Sequence, residues 1–480
     1  MDRDGVVLGI DLATSTARCV VVSLRDGRVL ASAAATLPTP VRGPGGSSTQ
    51  EATYPDVALA LVGRVIRELG PAAGSVRAVA TTGTSGTVLA AHAHGVPVSP
   101  ALLYDDLSGA SLSAAHGLPA GSMLARMAMV ARTAGRVARV VTTVDTVNAV
   151  LVDGPVDADT SHTLKAGVDP LARTWPIAAA DLGLGGLLPG LVPPAAVLGV
   201  VARTVAIRLG LPAGVLVVSG MTDGCTGQVA TGAVDPGRSV GVLGTTLVLK
   251  AVSSHRVESA DGAVYSHYSP DGDWWPGGAS SCGAGGLSGL RGDDLARLDG
   301  AAASRGPASV VCYPLVRPGE RFPVADPALH AVWSGEPRDD VEAHRALLEG
   351  VAFVERLGLE TLAHLGAPSR RHVLAGGGTR SDTWNRLRAT VLTGHEVSVA
   401  ARLGSAVGAA VLAALALEPG ATLAAVTARL VPPARPVAPV EWESETLESS
   451  YTSFLDLLSR HTDVPLPPRS TTSEGSADHG

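Results

Sequence analysis

The chain has 480 residues, 46% of them hydrophobic and 17% charged, with a formal net charge of −7. That balance supports a large core in two or three domains and gives no basic footprint for nucleic acid or an anionic membrane. Only two lysines occur, Lys165 and Lys250, and neither precedes a hydroxyl residue. A Walker-type P-loop, which needs Gly-Lys-Ser/Thr, is thereby excluded, and no HRD or DFG set marks a protein kinase.

The first apolar run reaches Asp11, breaks into the turn Ala13-Thr14-Ser15-Thr16, and returns as a second run with Cys19 inside it. Turn hydroxyls and amides donate to anions, and an aspartate holds Mg²⁺; the plainer alternative is a turn satisfied by its own Ser and Thr. Asp26-Gly27 predicts a hairpin into a third strand, Arg28 to Leu37. A Gly/Pro/Ser loop follows, then a helix with Val57, Leu61, Val65 and Leu69 on one face, stopped by Gly70. "VRAVATTGTSG" reads as a buried strand running into a Gly/Thr/Ser loop.

"VSGMTDGCTGQVATG" predicts a strand ending near Gly220 and a helix starting after Gly224, with Asp223 at the junction. Asp223 there is either an N-cap or a general base for phosphoryl transfer. The domain boundary is expected in "GAVDPGR", between Ala233 and Arg238. Beyond it, "SVGVLGTTLVLKAVS" repeats the strand-turn-strand pattern with Gly244, Thr245 and Thr246 at the turn. Further strands are expected at Tyr265 to Tyr268 and Asp273 to Trp275, and a long helix at Asp339 to Leu365. "LAGGGTRSDTW" places Gly376, Gly377 and Gly378 after a strand, where a flat or anionic ligand approaches closely or the chain merely turns. Trp384 stacks on a base or packs in the core. "EVSVA" is a short strand, and Leu403 to Leu417, too short to span a membrane, is a buried helix. The four cysteines, at 19, 225, 282 and 312, have neither zinc nor disulfide spacing. No signal-peptide pattern opens the sequence, so the expected compartment is the cytoplasm.

Four motifs in this order resemble the FGGY carbohydrate kinases: "GIDLATSTAR", "GMTDG", "LGTT" and "AGGG". The resemblance implies an α/β fold of two actin-like, ribonuclease H-like ATPase domains with a central cleft. It implies residues 1–236 as the sugar-binding domain, 237–463 as the nucleotide-binding domain, and a disordered tail at 464–480. The stretches "TTGTSGTVL", "ALLYDD", "SHTLKAGVD", "LGTTLVLK", "PGGASSCGAG" and "YPLVRPGERFP" look closest to a xylulokinase-related branch acting on D-ribulose. The implied reaction is ATP-dependent phosphorylation of the terminal hydroxyl of a ketopentose, D-ribulose first, with D-xylulose or another sugar or polyol as the alternative. An actin-like ATPase or a sugar sensor without phosphotransfer is the reading from another class.

By the same resemblance Asp223 is the catalytic base, and Asp11, Ser85, Tyr104, Asp106 and Asp223 meet the sugar. Thr14, Ser15, Thr16, Arg18, Gly244, Thr245 and Thr246 meet the ATP phosphates. Gly376, Gly377, Gly378, Ser381 and Trp384 meet the adenosine, and Asp11 holds Mg²⁺. The expected partners are a small sugar and ATP, with no nucleic acid and no membrane; a homodimer is left open. Four positions depart from the usual motifs: Ala13 for Gly, Asp105 for Asn, Val168 for Tyr and Ser381 for Asn.

Overall fold

The computed structural model describes residues 4–133, 139–290, 292–401 and 404–468. The last part of the expected disordered tail, 469–480, lies outside them. The principal elements before residue 234 are β1 (Val6–Leu12), β2 (Thr16–Ser23), β3 (Val29–Thr36), α1 (Tyr54–Leu69), β4 (Val76–Gly83), β5 (Val197–Val200), β6 (Leu216–Thr222) and α2 (Asp223–Val229). Then come β7 (Arg238–Leu243), β8 (Leu247–Ala251), β9 (Tyr265–Tyr268), β10 (Trp274–Ser280), α3 (Gly292–Arg305), α4 (Asp340–His364), β11 (Arg371–Ala375), α5 (Asp382–Val391) and β12 (Glu396–Val399). The chain closes with α6 (Ser405–Ala416), α7 (Leu423–Leu430), β13 (Arg435–Pro436) and α8 (Ser444–Ser459).

Two compact units result. The first comprises residues 1–234, 267–272 and 403–433, and the second comprises 235–266, 273–402 and 434–480. The main sheet of the first has the order β5-β6-β4-β1-β2-β3. β1 runs antiparallel to β2 and parallel to β4, and β4 runs parallel to β6. Every residue of β1 is buried, as expected for a strand covered on both faces. The sheet of the second unit has the order β9-β10-β8-β7-β11-β12-β13. Here β7 is antiparallel to β8 and parallel to β11, and β11 is parallel to β12. The arrangement β3-β2-β1-β4-β6 is therefore repeated as β10-β8-β7-β11-β12.

The signals read along the chain account for these elements locally. Gly27 takes φ +71° in the hairpin before β3. Gly70 takes φ +60° and stops α1, whose Leu61 and Val65 are buried. Asp339 caps α4 by accepting from the amides of Val341 and Glu342. A separate five-stranded sheet, which includes Val88–Ala91 and Arg139–Thr142, also belongs to the first unit.

One assignment could not come from chain order. α6, late in the sequence, packs in the first unit against β1, β4 and α2. Its residues Ala406 to Ala414 are all buried, and small side chains let it lie close. A Cβ on Gly9 would fall 1.8 Å from the Ala406 carbonyl oxygen, and one on Gly408 would fall 1.9 Å from that of Thr226. The stretch beginning at Val464 is not wholly detached either, since Val464 and Leu466 pack against the core of the second unit. Among the described residues no helix is long and apolar enough to cross a membrane.

Candidate functional site

In the first unit the site is built at the end of β1. Asp11 pairs in register with Arg18 across the β1–β2 hairpin. The Arg18 guanidinium stands 3.6 Å from Asp11 Oδ2, and Arg18 is half exposed while Asp11 is buried. Asp11 Oδ1 is buried with no hydrogen-bond partner. The Ala13 amide donates to the Thr16 carbonyl at 3.0 Å, leaving Thr14 and Ser15 as a two-residue turn. Gln50 Nε2 supports that turn from below by donating to the Thr14 carbonyl at 2.7 Å, and the Leu37 amide donates to that of Ser15 at 3.0 Å.

Asp223 reaches the same end of the sheet from β6. The N-cap of α2 is Thr222, and Asp223 is the first helical residue; it is not the cap that the sequence allowed. Its Oδ1 accepts from the Gly224 amide at 2.7 Å, and its Oδ2 accepts a longer bond from Thr84 Oγ1 at 3.4 Å. Ser405 Oγ donates to its carbonyl at 3.1 Å. Thr82 ties β4 to this junction, donating to the Met221 carbonyl at 2.6 Å. The two carboxylates repel: burial first, and then the charge of Asp223, push the Asp11 carboxyl up to about 7, against the pull of Arg18.

Behind the junction lies a polar knot that sequence reading missed. Ser161 Oγ accepts from the Thr222 amide at 3.1 Å. Asp159 accepts from the amides of Ser161 and His162, and His162 Nδ1 lies 2.5 Å from Asp159 Oδ2. Burial works against the His162 cation, but the Asp159 carboxylate outweighs it and the pKa is raised. Burial pushes nearby Asp145 up to about 6. The only sequence signal was Asp159 placed to cap a short turn.

The expected sugar contacts fall into different settings. Ser85 is buried and its hydroxyl has no partner, while Tyr104 is exposed. Asp106 spends its carboxylate inside the unit: Oδ2 accepts from the Ser48 amide at 2.6 Å, and Oδ1 accepts from the amide and hydroxyl of Ser108. Asp105 pairs with Arg42 at 2.6 Å. Val168 is buried.

In the second unit the Gly244 amide donates to the Thr246 carbonyl at 2.9 Å, so the β7–β8 turn is also closed by its own backbone but is one residue tighter than the first. The amides of Ala284 and Gly285 donate to the carbonyls of Gly244 and Thr245. Beside them a cavity of about 510 Å³ is lined by Ala284, Leu287, Leu295, Asp299, Gly377 and Trp384, among others. Gly378, Arg380 and Ser381 also border it. Ser381 caps α5, accepting from the Trp384 amide at 3.0 Å and donating to Asp299 at 2.5 Å. Trp384 is a core residue as well as a wall: it is buried, and its indole N–H donates to the Leu348 carbonyl at 3.0 Å.

The glycine run divides by role. Gly376 has φ +85°, and a Cβ there would fall 2.5 Å from the Leu243 carbonyl oxygen. A Cβ on Gly378 would meet the Leu243 side chain at 2.5 Å. A Cβ on Gly377 would find nothing nearer than 4.0 Å. Gly376 and Gly378 are demanded by packing; Gly377 is free to face a ligand.

Two sheets of one topology, each with a hydroxyl-bearing hairpin turn, define a two-domain actin-like ATPase fold. Residues 240–417 match the FGGY family of carbohydrate kinases, C-terminal domain. A xylulose kinase of Streptomyces rubiginosus is 30% identical over 477 residues, which is 92% of this chain and 94% of that protein. A xylulose kinase of Streptomyces coelicolor is 30% identical over 478 residues, with the same coverage. The crystal structure of a xylulose kinase from Rhodospirillum rubrum superimposes with a TM-score of 0.81 at 25% identity, covering 95% of this chain and 98% of that one. The chain belongs to the FGGY family of carbohydrate kinases. It is an ATP-dependent sugar kinase.

Proposed function

We propose that this kinase phosphorylates the terminal hydroxyl of a ketopentose, with Asp223 as general base. The observation that carries the reading is the pairing of two carboxylates at one sheet end, Asp11 buried with an orphaned oxygen and Asp223 with one oxygen held only by a long bond from Thr84. Asp223 takes the hydroxyl proton as the sugar oxygen attacks the γ-phosphorus of ATP; the transition state is loose, so positioning and charge neutralisation do most of the catalysis. Ser85, Tyr104 and Asp11 are assigned to the sugar, and Asp106 orders the loop that carries Tyr104. Thr14, Ser15, Thr16 and Arg18 are assigned to the ATP phosphates as donors, as are Thr245 and Thr246, with Gly244 assigned to the same ligand through the turn it opens. Gly376, Gly377, Gly378, Ser381 and Trp384 are assigned to the adenosine.

The orphaned Asp11 oxygen beside a second carboxylate fits a divalent cation. Asp11 would hold Mg²⁺ together with phosphate oxygens and water, the usual company of that ion. When bound, the ion neutralises phosphate charge. A reaction drawing on ATP suits the cytoplasm.

The names of the two long-matching relatives favour D-xylulose as the sugar. D-ribulose, the sequence expectation, is the second reading, carried by "TTGTSGTVL" and "ALLYDD". ADP release measured with D-xylulose, D-ribulose, glycerol, gluconate and no sugar decides. The expected result is highest kcat/KM on a ketopentose. Higher kcat/KM on glycerol or gluconate overturns the substrate class, and equal ADP release without sugar overturns the phosphotransfer reading.

A further inference from the structure

A fully buried ion pair lies beneath the strands that lead to the cavity of the second unit. Glu355, in the middle of α4, receives two bonds from Arg388 on α5: Nε to Oε2 at 2.6 Å and Nη2 to Oε1 at 2.5 Å. Both side chains are fully buried. Arg388 Nη2 also donates to the Gly241 carbonyl on β7 at 3.3 Å. His372 on β11 places Nε2 3.0 Å from Glu355 Oε1, and its Nδ1 is 2.8 Å from Ser239 Oγ on β7. One carboxylate thus links α4, α5, β7 and β11. Burial raises the Glu355 pKa, but Arg388 outweighs it and holds the carboxyl at about 2.

Such a pair is weak evidence for stability, because apolar residues of similar volume often serve as well or better. Its placement points to another role. β7 ends in the Gly244–Thr246 turn, and β11 ends in the Gly376–Gly378 run. The two turns abut, with Gly376 and Gly378 packed on Leu243 so tightly that neither has room for a Cβ. A small slip of β7 against β11 therefore deforms the wall of the cavity. β7 even keeps a glycine to admit the carboxylate: a Cβ on Gly241 would fall 2.0 Å from Glu355 Oε1.

We propose that Glu355 and Arg388 are positioning residues for ATP binding, setting the register of the two glycine turns without touching the nucleotide. This rests on the reading of the cavity as the adenosine site. The test uses the full chain carrying Glu355→Gln with Arg388→Met, which removes both charges and leaves His372 a partner. Melting temperature, ATP affinity by calorimetry, and KM for ATP and for the best sugar are measured, with Gly377→Val alongside. The double variant is expected to melt within about 5 °C of the parent, since no charge is left unpaired. KM and Kd for ATP are expected to rise at least about tenfold while KM for the sugar changes less than about twofold. Unchanged ATP affinity in the double variant, with Gly377→Val weakening it, overturns the positioning role alone. Unchanged ATP affinity in a folded Gly377→Val overturns the cavity reading itself. If the double variant fails to fold, Arg388→Lys decides. It keeps a charge on Glu355 but loses the fork, and normal ATP affinity there overturns the proposal.

Discussion

The β1–β2 and β7–β8 hairpins are one device used twice with different chemistry. Each lies beside a parallel strand, and each turn is closed by an amide-to-carbonyl bond of 3.0 or 2.9 Å. Two residues before the closing amide the first hairpin has Asp11, facing Arg18; the second has Val242, facing Val248. Charge at that position is therefore not a requirement of the fold. The first hairpin carries a buried carboxylate at a cost, beside a second carboxylate from β6. The second supports a largely apolar cavity bordered by Asp299 and Arg380, and the Glu355–Arg388 ion pair lies buried beneath the strands that lead to it.

If acid–base work belongs to the first unit alone, the largest effect follows from Asp223→Asn. Asn keeps the shape and cannot take the proton, so kcat is expected to fall by about 10²–10⁴. Because Thr222 is the cap, the melting temperature is expected to stay near that of the parent. Near-normal turnover in the ADP-release assay would move the base elsewhere.

Asp11 sharpens the comparison through pH. The folded carboxyl holds its proton up to about pH 7, whereas an unfolded one releases it near 3.8. Stability of the unliganded protein is therefore expected to fall as pH rises from about 4 to about 7 and to flatten above that, by at most about 4 kcal/mol from this group. Asp11→Asn is expected to remove that share of the slope, read from melting temperatures across the range. Superimposable profiles for parent and variant would show that Asp11 is not strained.

The smallest effect is expected from Ala13→Gly, which gives the first turn the glycine of the second. Neither Ala13 nor Gly244 has a positive φ, so the backbone does not demand glycine at either place. Stability should drop by about 0.5 kcal/mol and kcat/KM should stay within about twofold. A large gain in activity would mean that the Ala13 methyl obstructs the phosphates.

Local patterns made much of this legible. Asp26-Gly27, the Val57–Leu69 spacing, Gly70 and Asp339 each act over a few residues, and each marks an element that forms. Asp11 and Asp223 were visible because each is a lone acid at the end of an apolar strand. What stayed hidden is long-range. Thr84 meets Asp223 across 139 positions, and Ser161 supports Thr222 across 61. Glu355 sits in a helix whose apolar periodicity gives no sign that a charge inside it is paired. Asp106, expected among the sugar contacts, also bonds Ser48 and Ser108, and the sequence holds no sign of the longer of those ties.

The placement of α6 on β1 has a consequence for synthesis. After residue 234 the chain returns to the first unit only for the short stretch 267–272 and then for 403–433. At about 5–20 residues per second, the ribosome needs roughly 10–40 s to go from residue 234 to residue 433. During that interval β1, whose Gly9 is shaped to receive Ala406, has no covering helix, and apolar strand surface stands open to solvent or to a chaperone. The first-made half of this enzyme is thus among the last to be finished.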